Sequence, residues 1–318
     1  MISRGVFMKN EVLKTDSIQV VGADLGRGYV KGFSVYEGKE LRCCFKSVVG
    51  IGRNIDFSEY KDPIYLEVDG IDYFVGMLAE KEGDSPTPNS KESKITLTAE
   101  RLLFALLNEI CVSDKVKIVL TVPYKSYNKT TLQEVQNKYK GRTVTIKDLI
   151  KGTFKTITIE DIAIYREADS ALYWELRSVE TTTKPLGMIT VGFRTTELTY
   201  FDKGMVFNDK KSKSVELGNK TSLEYVQRIL LSQGTSKELF EIDTNEDDYN
   251  ELKERGYTEL YERVTQEIDN TWINLDEMDI YIGGGTVMKM NVKDYITIED
   301  PQMATAKGAY LVGSKFFK

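Results

Sequence analysis

At 318 residues, with 41% hydrophobic and 29% charged residues and only 6 prolines, the chain is long enough for two ordinary domains and has the make-up of an ordered globular protein. A formal charge of -6 excludes a broad electrostatic grip on nucleic acid, which needs clustered Lys and Arg against many phosphates. The absence of histidine removes Ser-His-Asp and Cys-His catalysis and His-ligated zinc or haem; carboxylates, lysines, backbone amides and bound metal remain.

The first 16 residues lack the continuous apolar core of a signal peptide and read as a frayed tail, with Val6, Phe7 and Leu13 too few for a membrane-surface helix. No stretch approaches the roughly 20 apolar residues of a membrane span. The cysteines Cys43, Cys44 and Cys111 form no plausible disulfide framework and read as reduced thiols of a cytoplasmic protein.

From Ser17 to Cys44 the pattern predicts a meander: a strand Ile18 to Ala23, a glycine turn at Gly26 to Gly28, a strand Tyr29 to Tyr36, a Glu37-Gly38 turn and a third strand. A second hairpin, Ile64 to Val68 and Ile71 to Val75, surrounds Asp69-Gly70, and the polar stretch GDSPTPNSKES after it reads as an exposed loop. Thr98 then caps an amphipathic helix with Leu102, Leu103, Leu106, Leu107 and Ile110 on one face, followed by a buried strand Val116 to Val122. A helix over about Ser126 to Tyr139, strands through Val144 to Ile164 and a helix Ala171 to Arg177 complete the first half. The looser segment Ser178 to Pro185 marks a boundary. After it the meander repeats at Met188 to Val191, Glu197 to Phe201 and Met205 to Phe207, with helices at about Ser222 to Ser232 and Asp247 to Asn270. A strand Met278 to Ile282 runs into Gly283-Gly284-Gly285, and a helix from Pro301 to about Ser314 closes the chain.

Three constellations carry chemistry. In Asp24-Leu25-Gly26-Arg27-Gly28 with Lys31, glycines let backbone amides approach phosphate oxygens, the carboxylate at the strand end can hold magnesium through water, and the lysine on the returning strand meets phosphate charge. The same glycines would also serve an ordinary hairpin. The segment is neither a G-x-x-x-x-G-K-[ST] loop nor a dinucleotide fingerprint. Gly192-Phe193-Arg194-Thr195-Thr196-Glu197 repeats the strand-turn-strand arrangement with hydroxyls and amides, and Gly283 to Gly285 leave backbone on which a base or ribose could lie. Between the two hairpins, Arg166-Glu167-Ala168-Asp169 reads as a strand ending in two carboxylates, either of which could orient a water or merely cap the following helix.

This order of features resembles the superfamily of actins, heat-shock chaperone ATPases and sugar kinases, over almost the whole chain from about Ser17. Within it the chain looks most like the plasmid-segregation actins of the ParM type and their archaeal relatives, because it ends at the closing helix, its second loop has the form G-x-R-T-T, and a carboxylate followed by small residues lies in the connecting segment. The resemblance implies an α/β, ribonuclease H-like, duplicated two-domain fold with a nucleotide cleft between the halves. Its parts would be a tail 1–16, domain I over 17–182 with a small insertion at about 50–95, domain II over 183–300, and a closing helix 301–318 returning to domain I. Asp24 would be the magnesium-side carboxylate, Gly26, Arg27, Gly28 and Lys31 the first phosphate grip, and Glu167 the catalytic residue that orients water. Gly192, Arg194, Thr195 and Thr196 would form the second grip and Gly283, Gly284 and Gly285 the adenosine floor. The implied function is an ATPase, with ATP or alternatively GTP and Mg2+ as cofactors. It would polymerise with itself and segregate plasmid DNA through a DNA-binding adaptor, without touching nucleic acid or membrane directly. Two departures stand out: Thr190 occupies the usual aspartate position, and Arg166 the usual proline. A small-molecule kinase and an actin-like scaffold that holds nucleotide without turnover are the alternatives; a chaperone and a cell-shape actin stand behind them.

Overall fold

The alternation of short apolar runs with glycine turns at the start of the chain folds into the meander it suggests. The computed structural model describes residues 9–11, 13–14, 17–179, 182–244 and 248–318; most of the expected tail, including Val6 and Phe7, and Asp247 at the expected start of a helix lie outside them. Two compact units emerge, one running to Ser170 and including Ala306–Lys318, the other Ala171–Thr305.

The first unit contains β1 (Lys9–Asn10), β2 (Gln19–Leu25), β3 (Tyr29–Tyr36), β4 (Lys39–Lys46), β5 (Val48–Ile51), β6 (Ile64–Val68), β7 (Ile71–Val75), α1 (Met77–Glu82), β8 (Asp84–Pro88), α2 (Leu97–Ile110), β9 (Lys115–Val122), α3 (Lys129–Tyr139), β10 (Thr143–Asp148), β11 (Thr153–Arg166) and the start of α4 (Glu167–Glu175). Its sheet has the order β4-β3-β2-β9-β11-β10-β6-β7-β5-β8, with β1 also on β11. The strands β2, β9 and β11 are parallel neighbours, and β9 reads as a nearly unbroken apolar run because both its faces are covered.

The second unit repeats this pattern with β12 (Leu186–Val191), β13 (Thr196–Asp202), β14 (Val206–Val215), α5 (Asn219–Ser232), α6 (Leu239–Thr244), α7 (Asn250–Thr271), β15 (Asp279–Gly283) and β16 (Ile296–Thr297), in the order β14-β13-β12-β15-β16. In each unit an antiparallel meander of three strands is followed by two strands parallel to the first. Tyr257, Leu260, Val264 and Ile268 form the buried stripe by which α7 joins the core with Ile189, Val191 and Leu198. The chain ends in α8 (Ala304–Phe316), which from Ala306 onward belongs to the first unit. An added Cβ on Gly22 would meet the backbone of Ala306 and Tyr310, whereas one on Gly32 would meet Leu106 and Ile110 of α2. Because Gly32 pairs with Ala23, neighbour of Gly22, these helices cover opposite faces of the sheet.

Several boundaries differ from the sequence reading. The polar stretch after Gly83 is not a loop throughout: Asp84–Pro88 pair as β8 with β5, since strand pairing needs only backbone groups and leaves these polar side chains exposed. The helix cap is Thr96, whose hydroxyl accepts from the Ala99 N–H at 3.1 Å, not Thr98. Asn128 caps α3, which starts at Lys129 rather than Ser126, and β14 runs on to Val215. The connecting helix begins at Glu167 instead of Ala171, so both carboxylates lie in its first turn, where they favour the helix dipole. The closing helix starts at Ala304 because Pro301 belongs to the preceding turn. Among the described residues no helix is long and apolar enough to cross a membrane.

Glu100 of α2 ties α3 to the start of β10 by binding both Lys138 and Arg142. Burial alone would raise its pKa, but the hydrogen bonds and charges of these two cations outweigh it and hold the carboxyl below its usual 4.5. A depressed carboxylate stabilises the fold above its unfolded pKa and loses that contribution as pH falls through its folded one. Stability measured by thermal unfolding is expected to decline below about pH 4.5, and Glu100→Gln should weaken the protein at neutral pH while flattening that acid limb.

Candidate functional site

The first glycine turn is shaped by which of its backbone carbonyls are engaged. The Leu25 carbonyl accepts from Lys94 Nζ at 2.9 Å and Asn89 Nδ2 at 3.2 Å; the Gly26 carbonyl accepts from Ser47 Oγ at 2.6 Å and Asn89 Nδ2 at 3.3 Å. Ser47, Asn89 and Lys94 are all buried, so these carbonyls point into the protein. In a trans peptide the N–H lies opposite the C=O, and the Gly26 and Arg27 amides therefore face the other way, as a phosphate cradle requires.

Beneath the turn, cross-strand pairing sets Asp24 of β2 against Lys31 of β3, and Lys31 Nζ donates to Asp24 Oδ2 at 2.9 Å. Asp24 Oδ1 accepts from Thr121 Oγ1 of β9 at 3.2 Å. Burial works against the Lys31 ammonium, but the charge and hydrogen bond of Asp24, with further help from Cys44 and Glu167, leave its pKa raised. Arg27 reaches the exposed Glu92 at 2.9 Å, an ion pair weak enough to open for a better anion.

Glu167, first residue of α4, lies 3.7 Å from Lys94 Nζ. Burial pushes its carboxyl pKa up; Lys94 opposes this, the negative charge of Asp24 adds to it, and the net result is above the usual value. Asp169 is turned away to Arg166, whose Nε donates to its Oδ2 at 2.8 Å, and the Arg166 guanidinium lies over the Tyr127 ring. Of the two carboxylates considered from the sequence, the structure thus sets only Glu167 beside the hairpin. Ser47, Asn89, Lys94 and Thr121 were not found from the sequence: no periodicity marks them, and small polar residues near a turn are too common to signal a site.

In the second unit, Gly192, Phe193, Arg194 and Thr195 form the turn between β12 and β13, closed by Gly192 N–H to Thr195 O at 2.9 Å. The first N–H groups of α5 hold the turn from behind, Asn219 on the Gly192 carbonyl at 3.1 Å and Lys220 on that of Phe193 at 2.8 Å. Thr196 is fully buried and its hydroxyl donates to Leu217 O at 2.8 Å, so that side chain serves the fold. Thr190 pairs across the hairpin with Glu197, the same separation that Asp24 and Lys31 have in the first unit. The Thr190 hydroxyl has no hydrogen-bond partner among the described residues.

The glycine segment is joined to this turn. Gly283 ends β15 opposite Thr190, Thr286 Oγ1 donates to Gly192 O at 2.9 Å, and Gly284 has φ +98° with the Val191 carbonyl 2.3 Å from where a Cβ would stand, so no other residue fits there. Lys289, at the end of the single turn Gly285–Lys289, binds Asp243 at 3.0 Å; Asp243 also accepts from Asn219, which accepts from the Tyr257 hydroxyl. Among the described residues no group of three or more Asp, Glu, Cys or His side chains could by itself hold a metal ion.

The family profile described as the Actin like proteins N terminal domain matches residues 22–168. No curated protein sequence matches the chain. Among solved structures, an archaeal actin homolog covers 94% of this chain and is itself covered in full, with a TM-score of 0.79 at 18% identity. A Clostridium botulinum ParM, solved as a 15-stranded filament, gives a TM-score of 0.79 at 21% identity, with 94% of this chain and 100% of that one covered. A Bacillus thuringiensis ParM with ATP gives 0.68 at 14% identity, covering 94% and 99%. The chain has an actin-like fold, shared with ParM and with archaeal actin homologues, and its residues 22–168 match the Actin like proteins N terminal domain.

Proposed function

We propose that this protein is a cytoplasmic actin-like ATPase that binds ATP with magnesium, assembles into filaments and dismantles them as the nucleotide is hydrolysed. The observation that carries the reading is the first glycine turn: its carbonyls are held inward by Ser47, Asn89 and Lys94, its amides face outward, and Asp24, Lys31 and Glu167 surround it. Gly26, Arg27, Gly28 and Lys31 would grip phosphate oxygens; Gly192, Arg194 and Thr195 would form a second phosphate grip, with the Thr196 side chain supporting that turn from inside. Gly283 to Gly285 would carry the adenosine.

A single carboxylate suits magnesium, which keeps most of its waters and takes the rest of its ligands from phosphates. Asp24 would hold it through water, and the ion would neutralise phosphate charge. Glu167 would accept a hydrogen bond from the attacking water and orient it, while Lys31 meets charge developing on the phosphate; phosphoryl transfer needs this positioning more than covalent help and requires no histidine.

Assembly is supported by the likeness to a ParM solved as a filament. A head-to-tail contact that does not close yields a helix, and loss of the phosphate that the grips hold would alter every subunit alike. The further reading is plasmid segregation, with DNA attached through a DNA-binding adaptor because the chain's own charge is -6. Thr190 in place of a carboxylate favours a second reading, a scaffold that binds nucleotide without turnover.

The test is right-angle light scattering of the purified protein with magnesium and ATP or GTP, with phosphate release followed alongside and filaments checked by electron microscopy. Scattering that rises and then declines as phosphate appears is expected. Stable scattering without phosphate would support the scaffold, and flat scattering at high concentration across salts and nucleotides would overturn filament formation.

A further inference from the structure

We propose that Lys94 is a positioning residue for the hydrolysis, its buried ammonium keeping the Glu167 carboxylate charged and held beside the first glycine turn. The inference rests on the reading of Glu167 as the group that orients water. Lys94 is only 5% exposed, and a lysine so buried needs acceptors and a counter-charge. It has both: the Leu25 carbonyl at 2.9 Å fixes the ammonium on the turn, and Glu167 Oε1 lies 3.7 Å away, beyond hydrogen-bond reach but close for opposite charges. The lysine is itself held from behind, since the buried Tyr139 hydroxyl donates to the Lys94 carbonyl at 2.8 Å.

The other charged groups near Glu167 are committed elsewhere. On the hairpin, Lys31 is bound to Asp24 and Arg27 to Glu92; at the end of β11, Arg166 is bound to Asp169. Lys94 is therefore the cation placed for Glu167, against the negative charge of Asp24. A carboxylate that orients water must be ionised to accept its proton, and burial beside a second carboxylate works against ionisation. Removing the ammonium should raise the Glu167 pKa further and favour its protonated form, so the variant binds nucleotide but turns it over more slowly.

The experiment measures nucleotide affinity, scattering and single-turnover phosphate release from pH 6 to pH 9 for the full-length protein and for Lys94→Met, Lys94→Arg and Glu167→Gln, alone and combined. Lys94→Met is expected to release phosphate at least about tenfold more slowly at pH 7, a loss larger than any fall in affinity when the Leu25 carbonyl loses its Lys94 donor. Its rate should recover at high pH with an inflection about one unit or more above that of the unaltered protein, and Lys94→Arg should keep the original inflection. Added to Glu167→Gln, Lys94→Met should cost no more than about twofold, because both act through one carboxylate. An unchanged rate, or a rate loss no larger than the affinity loss with the pH profile unshifted, overturns the proposal. If Lys94→Met does not fold, Lys94→Gln, which removes the charge and keeps a donor, is judged by the same pH profile. Absence of phosphate release from the unaltered protein would instead sink the parent reading, and this inference with it.

Discussion

Glu167→Gln is expected to lower single-turnover phosphate release by about 100-fold or more, the range lost when a positioned proton acceptor is removed. Scattering after ATP addition should rise as in the unaltered protein and then persist, because in the proposed cycle assembly follows nucleotide binding and disassembly follows hydrolysis. Glutamine keeps the shape of the side chain but cannot take a proton, so nucleotide affinity should change little and the loss should fall on turnover. The geometry gives the reason for choosing this residue over Asp169, which is bound to Arg166. Release at the original rate in Glu167→Gln would mean that another group orients the water.

Gly308→Ala should destabilise the first unit by about 3 kcal/mol or more, although in an isolated helix the same change is favourable by about 1 kcal/mol. The sign reverses because α8 lies backbone to backbone on α4: a Cβ at Gly308 would stand 1.7 Å from the Ser170 carbonyl oxygen and 2.4 Å from its carbon. No rotamer relieves a clash with backbone, so the helix must move off its seat on the sheet, where Gly22 also meets the α8 backbone. Thermal unfolding should show a midpoint lower by roughly 6–12 °C, at about 2–4 °C per kcal/mol for a unit of this size. Gly285→Ala is the control, since the nearest atom to its added methyl is Gln302 Cγ at 3.6 Å. An unchanged midpoint for Gly308→Ala would show that α8 does not pack as described.

Much of the arrangement around the two hairpins was legible locally. The pairing of Asp24 with Lys31 follows from a hairpin whose ends are set by glycines, and the recurrence of the same spacing from Thr190 to Glu197 marks the second hairpin. Apolar periodicity placed α2 and β9 because burial on a helix face or between two helical layers leaves a regular trace. The start of α4 was missed, since the Arg166-Glu167-Ala168-Asp169 segment has charges that suit a strand end and a first helical turn equally well.

What the sequence by itself determined is the set of elements that short-range rules dictate: two glycine-turned meanders, their carboxylates and lysine at the strand ends, the glycine segment after β15 and a closing helix. Only the tertiary structure decided which groups complete the first turn. Ser47, Asn89 and Lys94 reach it from positions 21, 64 and 69 residues away from the residues they hold, and Thr196, which reads like a phosphate hydroxyl, is turned into the core toward Leu217. The physical reason is that hydrogen bonding to a buried carbonyl depends on proximity in space, and a polar side chain carries no mark of which distant carbonyl it will satisfy.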